Sequence, residues 1–140
     1  MRCCLAACLS VIAAGCGSDQ VDTYPVSGKV VFADGEPVRL GTVEFESVSF
    51  GTTASGKIKE DGSFVLGTYT STDGAASGKH RAIVVQIVVN DGTFRHVKDH
   101  GRPVPLRYGN YATSGLSVVI FPEDSNNVLL ELDRQQKTER

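Results

Sequence analysis

The stretch DGTFRHVKDHGRPVPLRYGNY, residues 91–111, sets four cations, Arg95, Lys98, Arg102 and Arg107, against only two acids, Asp91 and Asp99. Phe94, Tyr108 and Tyr111 are interleaved with them and add flat apolar surface. Guanidinium forks grip carboxylate, sulfate or phosphate groups in a bidentate manner. The candidate ligand-binding set is therefore Arg95, His96, Lys98, His100, Arg102, Arg107, Tyr108 and Tyr111, suited to uronic or sulfated sugars, lipid phosphates or an acidic partner. His96 and His100, four apart, would share one side of a helix and could hold a metal with Asp99. Gly and Pro surround them and no helical pattern supports them, so no metal is expected and the histidines are read as solvated loop residues.

Other stretches that match chemical motifs lack what the chemistry needs. GTTASGK, residues 51–57, fits the phosphate-loop spacing, but that mechanism requires Ser or Thr next and a helix whose N-terminus faces the phosphates. Ile58 follows instead, and then a strand pattern, so the match is a strand-linking loop. In TYTSTDGA, residues 68–75, Asp73 and hydroxyls could meet calcium, yet one carboxylate is too few for a hard cation and turn chemistry explains it better. There is no G-x-S-x-G, no H-E-x-x-H, and no cysteine after residue 16. A triad brought together in space from Ser, Asp and one of the three histidines is the one enzymatic arrangement left open. The expectation is a non-enzyme without a cofactor.

All four cysteines, Cys3, Cys4, Cys8 and Cys16, fall in the first sixteen residues. A zinc site needs thiolates in a polar setting, and these lie among Ala, Leu, Val and Ile. A disulfide framework would place cysteines inside the domain. Residues 1–15 read instead as a signal peptide: Arg2 is a minimal basic region, CCLAACLSVIAA is apolar but too short to span a bilayer, and Ala13, Ala14 and Gly15 are small. The segment resembles a bacterial lipobox with Cys16 as the lipidated residue, departing from the usual pattern at Ala13, where Leu is commoner. LAAC at 5–8 fits the box but leaves no apolar region ahead of it. Residues 17–23 are polar and aperiodic and read as a tether, so residues 16–23 form the lipidated cysteine and its linker.

The elements behind these residues are strands. The chain has 140 residues, 41% hydrophobic and 21% charged with net charge −2, enough for one domain with its own core. That balance excludes nucleic acid as an expected partner, since phosphate binding needs a positive excess. From Tyr24 the pattern has period two. Val26, Val30 and Phe32 share a face, as do Val43 and Phe45, with Glu44 and Glu46 outward. Asp61-Gly62 is a hairpin signal between two runs, and 81–89 is nearly continuous apolar, as a strand covered on both faces would be. Leu116, Val118 and Ile120, then Val128, Leu130 and Leu132, alternate inward, and residues 134–140 form a polar tail. Seven strands with regular turns predict an all-β, Greek-key β-sandwich over 24–133. SGK recurs at Ser27, Ser55 and Ser77, where glycine would permit a bulge or close packing.

In order, YPVSGKVVFADGEPV, GTVEFE, ASGKIKEDGSFVLGTYTSTDGAASGKH and RYGNYATSGLSVVI with NNVLLEL resemble small planctomycete-type lipoproteins carrying a carboxypeptidase regulatory-like, transthyretin-like domain. The resemblance covers residues 24–132 and implies a prealbumin-like sandwich, export, lipid anchoring and no catalytic residues. It departs at SGKHRAIVV, where His80 stands in the place of the usual aromatic. The expected function is a lipid-anchored cell-envelope protein, facing the periplasm or cell surface, whose domain is a non-catalytic binding or structural module. Its partners would be the membrane, through the anchor, and an envelope glycan or protein. The alternatives are a carbohydrate- or anion-binding accessory protein using residues 95–111 and, more remotely, a hydrolase with a cryptic triad.

Overall fold

Alternation of apolar and polar side chains builds the strands of the computed structural model, which describes residues 19–86 and 101–133. In β2 (Val26–Phe32), Val26, Val30 and Phe32 are buried and Lys29 is exposed. In β3 (Gly41–Ser47), Val43, Phe45 and Ser47 are buried between half-exposed Thr42, Glu44 and Glu46. The same two-residue period runs through β8 (Leu116–Ile120) and β9 (Asn126–Leu132), where Leu130 and Leu132 are buried and Leu129 is exposed. β7 (Gly78–Val85) breaks the pattern with Ala82, Ile83 and Val84 all buried. It pairs on one side with β3 and on the other with β8, and the 3-10 turn Leu106–Gly109 contacts it. Its second half is thus covered on both faces, which is why the sequence is unbroken apolar from Ala82 to Val85, while Lys79 and Arg81 in its first half stand exposed on the outer face.

The fold is all-β with open sheets, and the described residues contain no α-helix. Four strands, with β4 (Thr53–Ile58) at one edge, run in the order β4-β3-β7-β8, all antiparallel. Three more, with β5 (Ser63–Val65), run β5-β2-β9. β2 and β9 are parallel over seven pairs, from Val26↔Asn126 to Phe32↔Leu132, so the first long strand is closed by the last. Two-residue strands β1 (Thr23–Tyr24) and β6 (Ala75–Ala76) pair separately. Among the described residues nine strands thus form where alternation suggests seven, because two residues are too few to show a period. Inner residues of both larger sheets fall in one hydrophobic cluster, a sandwich-like arrangement in which Phe45 and Phe64 meet edge-on at 6.1 Å.

The Asp61-Gly62 turn forms, with Gly62 N–H donating to Lys59 O (3.0 Å) and Lys59 N–H to Ser63 O (2.9 Å). It returns the chain antiparallel, as a hairpin does: in the register that sets Lys59 opposite Ser63, Ser55 and Gly67 exchange both backbone bonds (2.9 and 3.0 Å). Between these two points the arms diverge. β4 pairs with β3 and β5 with β2, so the turn carries the chain from one sheet to the other. Two glycines of the SGK echoes permit this crossing. A Cβ on Gly56 would fall on the Val65 carbonyl, and one on Gly28 would fall on the Val128 carbonyl and the Phe64 ring. The third, Gly78, has open space around it but a φ of 107°, so there the demand is conformational.

The registers give the molecule two distinct ends. β2 and β9 begin, β3 and β8 finish, and β7 begins at the near end, where the chain comes in through β1. Asn126 ties that end together, accepting from Phe121 N–H (2.9 Å) and donating to the carbonyls of Phe121 (3.0 Å) and Pro25 (3.4 Å). At the far end lie Phe32, Gly41, Val85, Leu116 and Leu132.

Gly28→Ala and Gly56→Ala test the crossing by the sign of their effect. A glycine in ordinary extended backbone gains about 0.4–1 kcal/mol of stability on replacement by alanine, whereas forcing a methyl group into filled space costs about 1–3 kcal/mol. Urea unfolding is expected to show a loss for both variants. A gain for either would mean that the backbones can separate there without penalty.

Candidate functional site

The far end holds the described part of the cationic stretch, and its side chains are engaged within the molecule. Arg102 bridges Asp34 (2.9 Å) and Glu36 (2.6 Å) in the β2–β3 connection, and its guanidinium lies 4.8 Å from the Phe32 ring centroid. Gln86 works beside it, donating to the carbonyls of Arg39 (2.7 Å) and Leu40 (3.4 Å) and accepting from Val104 N–H (3.2 Å). Those bonds hold the connection where Leu40 has a φ of 59°, the one positive value at a non-glycine among the described residues. Arg102 and Gln86 thereby fasten residues 101–105 to the loop that follows β2.

Arg107 and Tyr108 form a second set. Tyr108 is buried, and its hydroxyl accepts from Arg107 (2.7 Å) and from the Asp133 N–H (2.8 Å). The Arg107 guanidinium also stacks 4.6 Å from the Tyr108 ring and lies 3.4 Å from the Asp133 carboxylate. Tyr111 belongs to a third set, on the outer face of the four-stranded sheet, 5.4 Å beneath Arg81, which itself pairs with Glu46 at 2.7 Å. Burial first, then the nearby Glu44 and Glu46 carboxylates, push the Tyr111 phenol up to about 12, so it keeps its proton at neutral pH. The four described candidates therefore sit in three separate contact sets. Arg95, His96, Lys98 and His100, like Cys16, lie outside the described residues.

His80 is the only histidine among the described residues, and it is a core side chain. It is 1% exposed, its ring lies 6.2 Å from that of Phe45, and Nδ1 is 3.1 Å from the Gly78 carbonyl. A carbonyl can only accept, so Nδ1 carries the proton. Burial pushes its pKa down, and the Gly78 carbonyl offsets part of that shift.

Asp73 explains the 68–75 stretch. Its carboxylate accepts from the N–H groups of Thr68 (2.7 Å), Tyr69 (3.0 Å) and Thr70 (3.2 Å), while the Thr68 hydroxyl donates to Gly74 O (2.7 Å). Burial opposes its charge, but the backbone donors of Tyr69, Thr68 and Thr70 together hold its pKa below the ordinary value. This carboxylate builds a turn. It also borders an open concavity of about 610 Å³ at the near end, between residues 20–24 and Tyr69 and Thr70. Gly51 to Lys57 form a turn and β4, with no helix behind them. Among the described residues no three His, Cys, Asp or Glu side chains converge as metal ligands, and no helix is long and apolar enough to cross a membrane.

Sequence reasoning missed Gln86 and the acids Asp34 and Glu36 as partners of the cationic stretch. Asp34-Gly35 reads locally as a turn, and nothing near it in sequence marks a bond to Arg102, 68 residues away. Compared with family models, curated proteins and solved structures, the chain matches none.

Because the folded-state pKa of His80 lies below its unfolded value near 6.5, the unfolded chain binds the proton more readily. Its contribution to stability is complete above about pH 6.5 and is lost as pH falls through the lowered folded pKa. Urea midpoints measured across this range are expected to fall less on acidification for His80→Phe than for the wild type. Identical slopes would mean that the imidazole is protonated as easily in the core as in water.

Proposed function

We propose that the protein is a lipid-anchored component of a bacterial cell envelope, held through Cys16, whose domain is a non-catalytic binding or structural module. One observation carries the reading. Ile12-Ala13-Ala14-Gly15-Cys16 is followed by a short polar run, and the chain then enters the domain directly, Thr23 and Tyr24 pairing with Ala76 and Ala75. At the covalent limit of about 3.6 Å per residue, Cys16 and Thr23 stand no more than about 25 Å apart. The first strand thus begins within a short tether of the acylated residue, facing the periplasm or the cell surface. The finer fold proposed is a transthyretin-like, Greek-key β-sandwich of the carboxypeptidase regulatory-like type. Two open sheets that share one core support it.

A structural role for the described cationic residues is favoured over anion or carbohydrate capture. Arg102 is engaged with Asp34 and Glu36, and Arg107 with Tyr108 and Asp133. Glycan recognition by residues 95–111 would have to break these contacts or use the remaining side chains. The burial of His80 removes one of three histidines from any hydrolytic triad.

The intact mass of the protein purified from its host's membranes, beside Cys16→Ser, tests the anchor. The expected mature chain begins at Cys16 and carries added acyl mass that the variant lacks. An unmodified wild-type chain would remove the anchor and, with it, the envelope assignment.

A further inference from the structure

Exposed apolar side chains gather at the near end, on the outer face of the four-stranded sheet and in the chain just beyond the ends of β3 and β8. Val48 extends the β3 ladder, its N–H donating to Lys79 O (2.9 Å), and Lys79 is paired with Val119 of β8. Val48 and Val119 are 57% and 52% exposed, and Phe50 and Phe121, each two residues further on, are 51% and 55% exposed. Isolated apolar side chains on a surface need no explanation, but a group of them at one place does. This group lies where the chain comes in, because Asn126 bonds at once to Phe121 and to Pro25, the residue joining β1 to β2.

We propose that this end of the domain rests on the bilayer that holds the anchor, with Val48, Phe50, Val119 and Phe121 as its contact residues. The inference rests on the reading of Cys16 as acylated. A tether of at most about 25 Å keeps the near end beside the lipid surface. Contact then becomes an intramolecular event at high effective concentration, so a small apolar area suffices. A second chain docking on the same face would first have to lose its translational and rotational freedom.

Charge selects the lipid. Lys79 stands in the group, but Asp19 and Asp22 lie ahead of β1, and Glu123 and Asp124 occupy the exposed β8–β9 turn beside Phe121. Among the described residues no basic cluster accompanies these acids to attract anionic headgroups. The contact is therefore apolar, favoured on a zwitterionic surface and opposed on an anionic one. The far end, with Arg102, Asp34 and Glu36, faces away from the membrane.

The chain has no tryptophan, so single substitutions report depth without interference. Full-length Phe50→Trp, Phe121→Trp and Leu106→Trp proteins, purified from host membranes, are placed in phosphatidylcholine vesicles with plain or brominated acyl chains. Leu106, 90% exposed in the 3-10 turn that adjoins the Tyr108–Asp133 contact, serves as the far-end reference. Tryptophans at 50 and 121 are expected to shift to the blue and to be quenched at least about twofold more than the one at 106, as for groups seated at the headgroup–acyl boundary. Replacing part of the phosphatidylcholine with phosphatidylglycerol should shrink that difference. Equal quenching at all three positions overturns the proposal, as does a concentration-dependent blue shift without vesicles, which would give the face to a second copy. The intact mass of the same samples separates the two readings. An acylated chain without the pattern overturns the docking and leaves the anchor; an unacylated chain that shows it upholds the docking and removes the anchor; an unacylated chain without it overturns both.

Discussion

The two sheets meet where Phe64 crosses the bare backbone of Gly28 to lie edge-on to Phe45. An aromatic pair of this kind adds roughly 0.5–1.5 kcal/mol beyond the area it buries, but its position matters more than its energy. Phe64 follows the turn that takes the chain from β4 in one sheet to β5 in the other, so the contact closes a crossover. Gly56, against the Val65 carbonyl, lets the two strands approach closely enough to make it. Around this point the remaining core assembles from both sheets, including His80, whose ring packs on the other side chain of the pair, Phe45.

From that constraint the division into two ends follows. β2 also pairs with the last strand, β9, in parallel, which brings the start of the domain beside Asn126 and Phe121. The opposite end collects the long connections, and there charged groups are used to fasten loops. Arg102 reaches back to Asp34 and Glu36, and Arg107 and Tyr108 hold Asp133 after the final strand. Exposed pairs of this kind contribute little to stability individually. Their effect is positional, because they fix where residues 101–108 run. An arginine-rich segment is therefore not by itself a free anion receptor: Arg102 and Arg107 each already have a carboxylate and a ring beside them.

Most of the strand pattern was legible because it is local. Alternation in β2, β3, β8 and β9 places inward the residues that the structure buries or packs half-buried against the core, and the apolar run of β7 is covered on both faces from Ala82 to Val84, while Arg81 is exposed and 87–89 lie outside the described residues. The turn at Asp61-Gly62 was legible as a hairpin turn, and its arms do return antiparallel through Ser63 and Gly67, but it was illegible as the place where the chain changes sheet. Its hydrogen bonds are the same in both cases, and what differs is which distant strand each arm pairs with. Nothing local in the sequence marks His80 as a core residue; it is buried beside Phe45 through the pairing of β7 with β3. The partners of Arg102 and Arg107 could not be read, since they lie 68 and 26 residues away.

The sequence by itself determined the periods, the turns, the all-β class and the clustering of every cysteine ahead of the domain, because each depends on residues within a few positions of one another. Only the tertiary structure decided which sheet each strand joins, which glycines are required by close approach, and which charged side chains are already engaged. Those outcomes depend on the meeting of segments distant in the chain, where even a single Cβ, at Gly28 or Gly56, would collide with a facing carbonyl.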